Sequence, residues 1–145
     1  MSAATAWEGL RERFLTVAGL QDVILGEPPN VLATPMIYTV FERFERDAEA
    51  SPPSSSALTI MRYRFRSRVL IRWQDNPDAE LQVLAYVNAV PFAITSDPHL
   101  GGRIASGGAT TPEGVTLFVT IGGVTYRAIE FTYSVVEKGA RSDGL

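Results

Sequence analysis

Cysteine is absent from the 145 residues, so neither a disulfide framework nor a thiolate metal site exists. Histidine is reduced to one residue, His99, which leaves a transition metal only an unusual all-carboxylate ligand set. That histidine sits in a Pro/Gly turn and reads as an exposed turn residue, not as a base. Long apolar runs are missing as well, and nothing approaches the roughly 20 residues that cross a bilayer. Residues Met1 to Phe14 lack the apolar core of a signal peptide and are crowded by Glu8, Arg11, Glu12 and Arg13. These absences predict a soluble chain made in the cytoplasm, with no membrane partner. Positive charge is not in excess either: the net charge of −3 weighs against a dedicated nucleic-acid surface.

Signatures of catalysis are equally sparse. The glycine pairs of GGRIASGG, Gly101 to Gly108, lack the Lys-Ser/Thr ending of a phosphate loop, and no helix pattern follows them. The strand–turn–helix context of a dinucleotide fingerprint is missing too. Ser54 to Ser56 have no nearby base. Glu42, Glu45, Asp47 and Glu49 could be pictured around a cation, but a solvated acidic patch beside arginines is the simpler account. Aromatic residues fall at strand-core spacing and do not form a base-stacking platform. No catalytic residue, metal or cofactor is predicted.

What the chain does have is a strong strand from Leu58 to Trp73. Alternate residues Met61, Tyr63, Phe65, Val69, Ile71 and Trp73 make one face apolar, interrupted by Ser67. The other face carries Arg62, Arg64, Arg66, Arg68 and Arg72, interrupted by Leu70. A period of two over this length is a β-strand with one face in a core. At roughly 3.3 Å per residue it would run about 50 Å, longer than a domain of this size covers, so one end should project or bend. Three readings of the arginines stand open. They form a solvated face paired across strands with Glu or Asp, a subunit interface, or, less in keeping with the net charge, a nucleic-acid surface. Glu42 and Glu45 on the preceding strand belong to the same candidate interface.

Along the chain, Thr5 and Glu8 have capping-box spacing ahead of a helical stripe at Trp7, Leu10, Phe14 and Val17, with Gly19 as its stop. A short strand, Asp22 to Leu25, and a Pro28-Pro29-Asn30 turn follow. Met36 to Glu45 is β-rich with two mixed faces, which predicts a bulge or burial on both sides. Asp47 to Ala57 reads as a loop by composition, so residues 36–73 form a long hairpin with a mobile tip. Asp47, Glu49, Pro52, Pro53 and Ser54 make that tip a candidate contact loop. Asp75-Asn76-Pro77-Asp78 starts a second helix with Pro in its first turn, apolar most of the way round as if buried between a sheet and another surface. Pro91 should end or kink it. Residues 96–102 form a turn, and 103–114 a ragged edge strand plus loop. Gly122-Gly123 joins a last hairpin of Val115 to Ile121 and Val124 to Val136. The expected fold is a single α+β domain over 1–137. It has an antiparallel or mixed sheet, two helices on one face and a long projecting hairpin, followed by a loose tail at 138–145.

Several segments in this order are familiar: VILGEPP after the first helix, PMIYTVFERFER, YRFRSRVLIRW, the DAE helix start, DPHLGG and the closing GGVTYRAIEFTYSVVE. Over about residues 5–137 the chain resembles the tail terminator (tail-completion) proteins of long-tailed bacteriophages and related prophage or gene-transfer particles. The resemblance rests on order and texture, and carries over no motif residue. It implies a homo-oligomer, a hexameric ring capping the head-proximal end of the tail tube. Its partners would be the tail tube protein and a head-completion or neck protein, with DNA only passing through the lumen. Its place would be the tail or neck of a virion assembled in the host cytoplasm. A head-completion or neck connector protein is the alternative in the same setting. A small-molecule or peptide-binding α+β module is the alternative from another class.

Overall fold

A computed structural model describes residues 2–46, 60–104 and 106–138. In chain order these hold α1 (Ala3–Leu15), β1 (Asp22–Leu25), β2 (Met36–Arg46), β3 (Ile60–Arg72), α2 (Ala79–Thr95), β4 (Gly107–Ala109), β5 (Glu113–Ile121) and β6 (Val124–Lys138). One mixed sheet runs β1-β2-β3-β6-β4, with β5 also paired to β6. Only the β1–β2 pair is parallel. The fold is α+β, and its sheet curls into a half-barrel. The tip residues Asp47, Glu49, Pro52, Pro53 and Ser54, and the tail beyond Lys138, lie outside the described residues.

Both helices pack on one face of the sheet. Leu10 and Phe14 of α1 and Val83, Val90 and Ile94 of α2 share a core with Phe65, Val69, Ile71 and Ile129. Ser67, the polar interruption of the apolar stripe, is fully buried there. Its hydroxyl lies 2.7 Å from both Thr39 Oγ1 and Tyr133 Oη, so three buried hydroxyls satisfy one another beneath the helices. Burial raises the Tyr133 phenol above its ordinary pKa, and the hydrogen bonds to Ser67 and Thr39 only partly offset this.

A second, smaller core occupies the opposite face. Met36 and Tyr38 of β2 meet Val119 and Ile121 of β5 across Leu70 and Ala128. Leu70, which breaks the arginine run, is there because the curled sheet brings its two sides together over it. The expected irregularity in β2 is present in both forms. Its first four residues are buried on alternate faces, and the register with β3 shifts between Phe41 and Arg43. Glu42 is the extra residue, and the bulge turns Phe41 and Phe44 to the same face, opposite Phe65 and Tyr63. All six residues Phe41–Arg46 are exposed, while β6 accompanies β3 along its whole length. With β4 paired to β6 over Val135–Glu137, the outer part of the arm is four strands wide where a two-stranded hairpin was expected.

Helix boundaries differ from the expectation in four places. The cap of α1 is Ser2, whose Oγ accepts from the Thr5 N–H at 3.2 Å, and not a Thr5–Glu8 box. The helix ends at Leu15, ahead of Gly19, because the Thr16 hydroxyl turns back to donate to the Arg13 carbonyl. Pro77 precedes α2. Asn76 organises that start, donating to the Arg72 carbonyl and Gln82 and accepting from the Asp78 N–H. Pro91 lies inside α2, which continues to Thr95. An interior proline costs about 3 kcal/mol. Burial of Ala93 and Ile94 in the turn beyond it offsets that cost, and the Thr95 hydroxyl donates to the Pro91 carbonyl.

Candidate assembly surfaces

The period of two in β3 sends Arg62, Arg64, Arg66 and Arg68 to the face away from the helices, where the flanking strands supply carboxylates. Glu42, at the β2 bulge, lies 3.8 Å from Arg64 and 3.6 Å from Arg66. Glu130 of β6 lies 3.6 Å from Arg66 and 2.8 Å from Arg68. Arg66 is thus held between two carboxylates, and its Nε is buried without a hydrogen bond among the described residues. Arg68 is more enclosed than Arg64 or Arg66. Its Nε donates to Glu130 at 2.9 Å and its Nη1 to the Tyr38 hydroxyl at 3.2 Å, and Tyr38 in turn donates to Glu27. Burial alone would lower the pKa of Arg68; the hydrogen bonds to Tyr38 and Glu130 more than reverse this and raise it. Burial raises the Tyr38 phenol against the opposing pull of Arg68.

Among the described residues Arg64, Arg66 and Arg68 thus find carboxylate partners on their own subunit, which matches the reading of a cross-strand paired face. Arg62 stands opposite Glu45 in the register, yet Glu45 pairs with Arg43 at 3.4 Å. Arg72 is exposed at the strand end and donates to the Gln74 carbonyl. Sequence reasoning missed Glu130 and Tyr38. The alternation in AIEFTYSVVE, which puts Glu130 on the same face as the arginines, was the signal for the first. His99 is exposed in its turn, and its Nδ1–H donates to the Ile104 carbonyl at 3.1 Å.

A different kind of surface lies around α2 and β5. Leu81, Leu84 and Phe92 of α2 are each more than 60% exposed, so the helix that sequence reading expected to be covered on two sides is covered here on one. Between α2 and the sheet runs an apolar groove of about 330 Å³, lined by Val87, Pro91, Val115, Thr116, Ile129 and Phe131. Near its other end Phe118 meets Trp73 edge-on at 5.0 Å, with Arg127 stacked over Phe118 and bridged to Glu80. At the strand ends opposite the 47–59 connection, Leu32, Arg72, Trp73, Asp75 and Tyr126 wall a cleft of about 250 Å³.

Among the described residues, no group of three or more His, Asp or Glu side chains is placed to hold a metal ion. Among them too, no helix is long and apolar enough to cross a membrane. Compared with known proteins, the chain matches no family model and no curated sequence.

Proposed function

We propose that this chain is a structural subunit that forms a ring on the head-proximal end of a phage tail tube, ends tube growth and joins tail to head. The observation that carries the reading is the outer side of α2, where Leu81, Leu84 and Phe92 face water in the single chain. An apolar helix side of this kind marks a protein–protein contact. The element order and the segments shared in texture with tail terminators give that contact its setting. The mixed-charge face of β3, with arginines balanced by Glu42 and Glu130, suits a lumen that lets DNA pass without holding it.

Ending a polymer needs no bond made or broken. It needs one face complementary to the tube and another that refuses the next tube ring. A head-completion or neck connector would engage the head side and leave tube ends bare. The cleft at Arg72 and Trp73 is what favours the other alternative, a module that binds a small molecule or peptide. Electron micrographs of the purified protein mixed with tail-tube protein separate these readings. Closed rings, expected to be six-membered, should appear alone or at one end of the tubes. A monomer by light scattering that also leaves tube ends bare overturns the reading.

A further inference from the structure

We propose that the open edge of β5 receives the β2 arm of a second copy of this chain, so that one sheet continues from subunit to subunit. This deepens the ring reading and rests on it for the closure and number of copies.

β5 is paired on one side, to β6 along Glu113–Ile121, and no other described backbone group hydrogen-bonds it. From Gly114 to Ile121 it carries no charge and no proline. Edge strands of free-standing proteins are normally short, charged, bulged or covered, because a bare edge templates pairing with another chain. At the far side of the sheet, β1 pairs β2 over Met36–Thr39 only, leaving the outer edge of Val40–Glu45 without a backbone partner among the described residues. The two open edges lie at opposite sides of the sheet; although its curl brings β2 and β5 side chains together over Leu70, their backbones do not pair within the chain, so edge-to-edge pairing is between copies. Contact between unlike edges is head-to-tail, the type that closes into rings.

The side chains agree with the backbone. In the arrangement that keeps the helix faces of both copies on one side of the continued sheet, Phe41 and Phe44 of an incoming arm arrive on the helix side of β5. That side holds the apolar groove of about 330 Å³ beside Val87, Pro91 and Thr116, within the size range that accepts ring-sized groups. Phe41 and Phe44 are 39% and 64% exposed in the single chain. Residues three apart in a regular strand face opposite ways; the bulge at Glu42 is what puts both rings on the side with the groove.

The absence of cysteine makes the test direct. One variant carries Arg43→Cys on the arm and a differently tagged one carries Val115→Cys or Leu117→Cys on β5, all on the face away from the helices. Their mixture is treated with a flexible bismaleimide. The mixed dimer should form several-fold more than either variant alone gives, and adding Phe44→Asp should abolish it without moving the melting temperature. A yield no higher than that of Arg43→Cys mixed with Arg11→Cys, on the exposed side of α1, overturns the proposal. Rings that seat on tubes without this cross-link would sink edge pairing and leave the ring reading standing. Cross-linked copies that ignore tubes would do the reverse. Cross-linking of β5 to tube protein in place of the arm would assign the edge to that partner and also overturn the proposal.

Discussion

Arg68→Glu is expected to lower the melting temperature of the free chain by roughly 6–12 °C, the largest effect of any single charge change on the β3 face. Arg68 is 19% exposed and bonds both Glu130 and Tyr38, with Glu27 held behind Tyr38. Reversing its charge leaves Glu130 facing a second carboxylate in a partly desolvated site. Breaking such a pair costs about 3 kcal/mol, and each kcal/mol shifts the midpoint by roughly 2–4 °C in a domain of this size. Arg68→Met should cost less, because Glu130 keeps Arg66 at 3.6 Å. Arg64→Glu should cost under about 1 kcal/mol, since Arg64 is more exposed and its contact with Glu42 is 3.8 Å long. Thermal unfolding of the three variants checks the order. Equal losses for Arg64→Glu and Arg68→Glu would contradict an internally paired ladder.

Gly9→Ala should destabilise the chain although alanine is the better helix former. Mid-helix glycine costs up to about 1 kcal/mol relative to alanine, so propensity alone predicts a gain. Geometry reverses the sign. A Cβ at position 9 would lie 2.6 Å from Leu100 Cβ, next to the backbone and not at a movable chain end. Leu100 is fully buried at φ 51°, and its turn is fastened to α1 through Arg103–Glu12 contacts of 2.8 and 2.9 Å and through Arg13–Asp97. With the turn unable to retreat, overpacking costs roughly 1–3 kcal/mol and outweighs the propensity term. The expected result is a lower melting temperature for Gly9→Ala and a lower one still for Gly9→Val. A rise on Gly9→Ala would show that the turn gives way.

Local pattern was enough where one residue type or one period decides. The alternation in Tyr63–Ile71 put the right side chains under the helices. Gly122 and Gly123 supplied the two positive φ values that a tight hairpin turn requires. Mixed faces in β2 correctly announced an irregularity. Legibility failed where tertiary burial overrides local preference. Pro91 is a helix breaker by chemistry, but Ile94 in the core carries the helix past it. Gly19 looked like the end of α1, while a side-chain bond from Thr16 ended it sooner. The second core was invisible because Met36, Tyr38, Leu70, Val119 and Tyr126 are brought together only when the sheet curls. The partners of the arginines were half legible: Glu42 stood in the neighbouring strand, but choosing Glu130 required the β3–β6 register.

The most direct test of a ring that ends tail growth is electron microscopy of particles made without this chain. Its removal should leave filled heads and unattached tails, some of them overlong, with both defects repaired by supplying the protein. Tails of normal length attached to heads in its absence would contradict the proposed function outright.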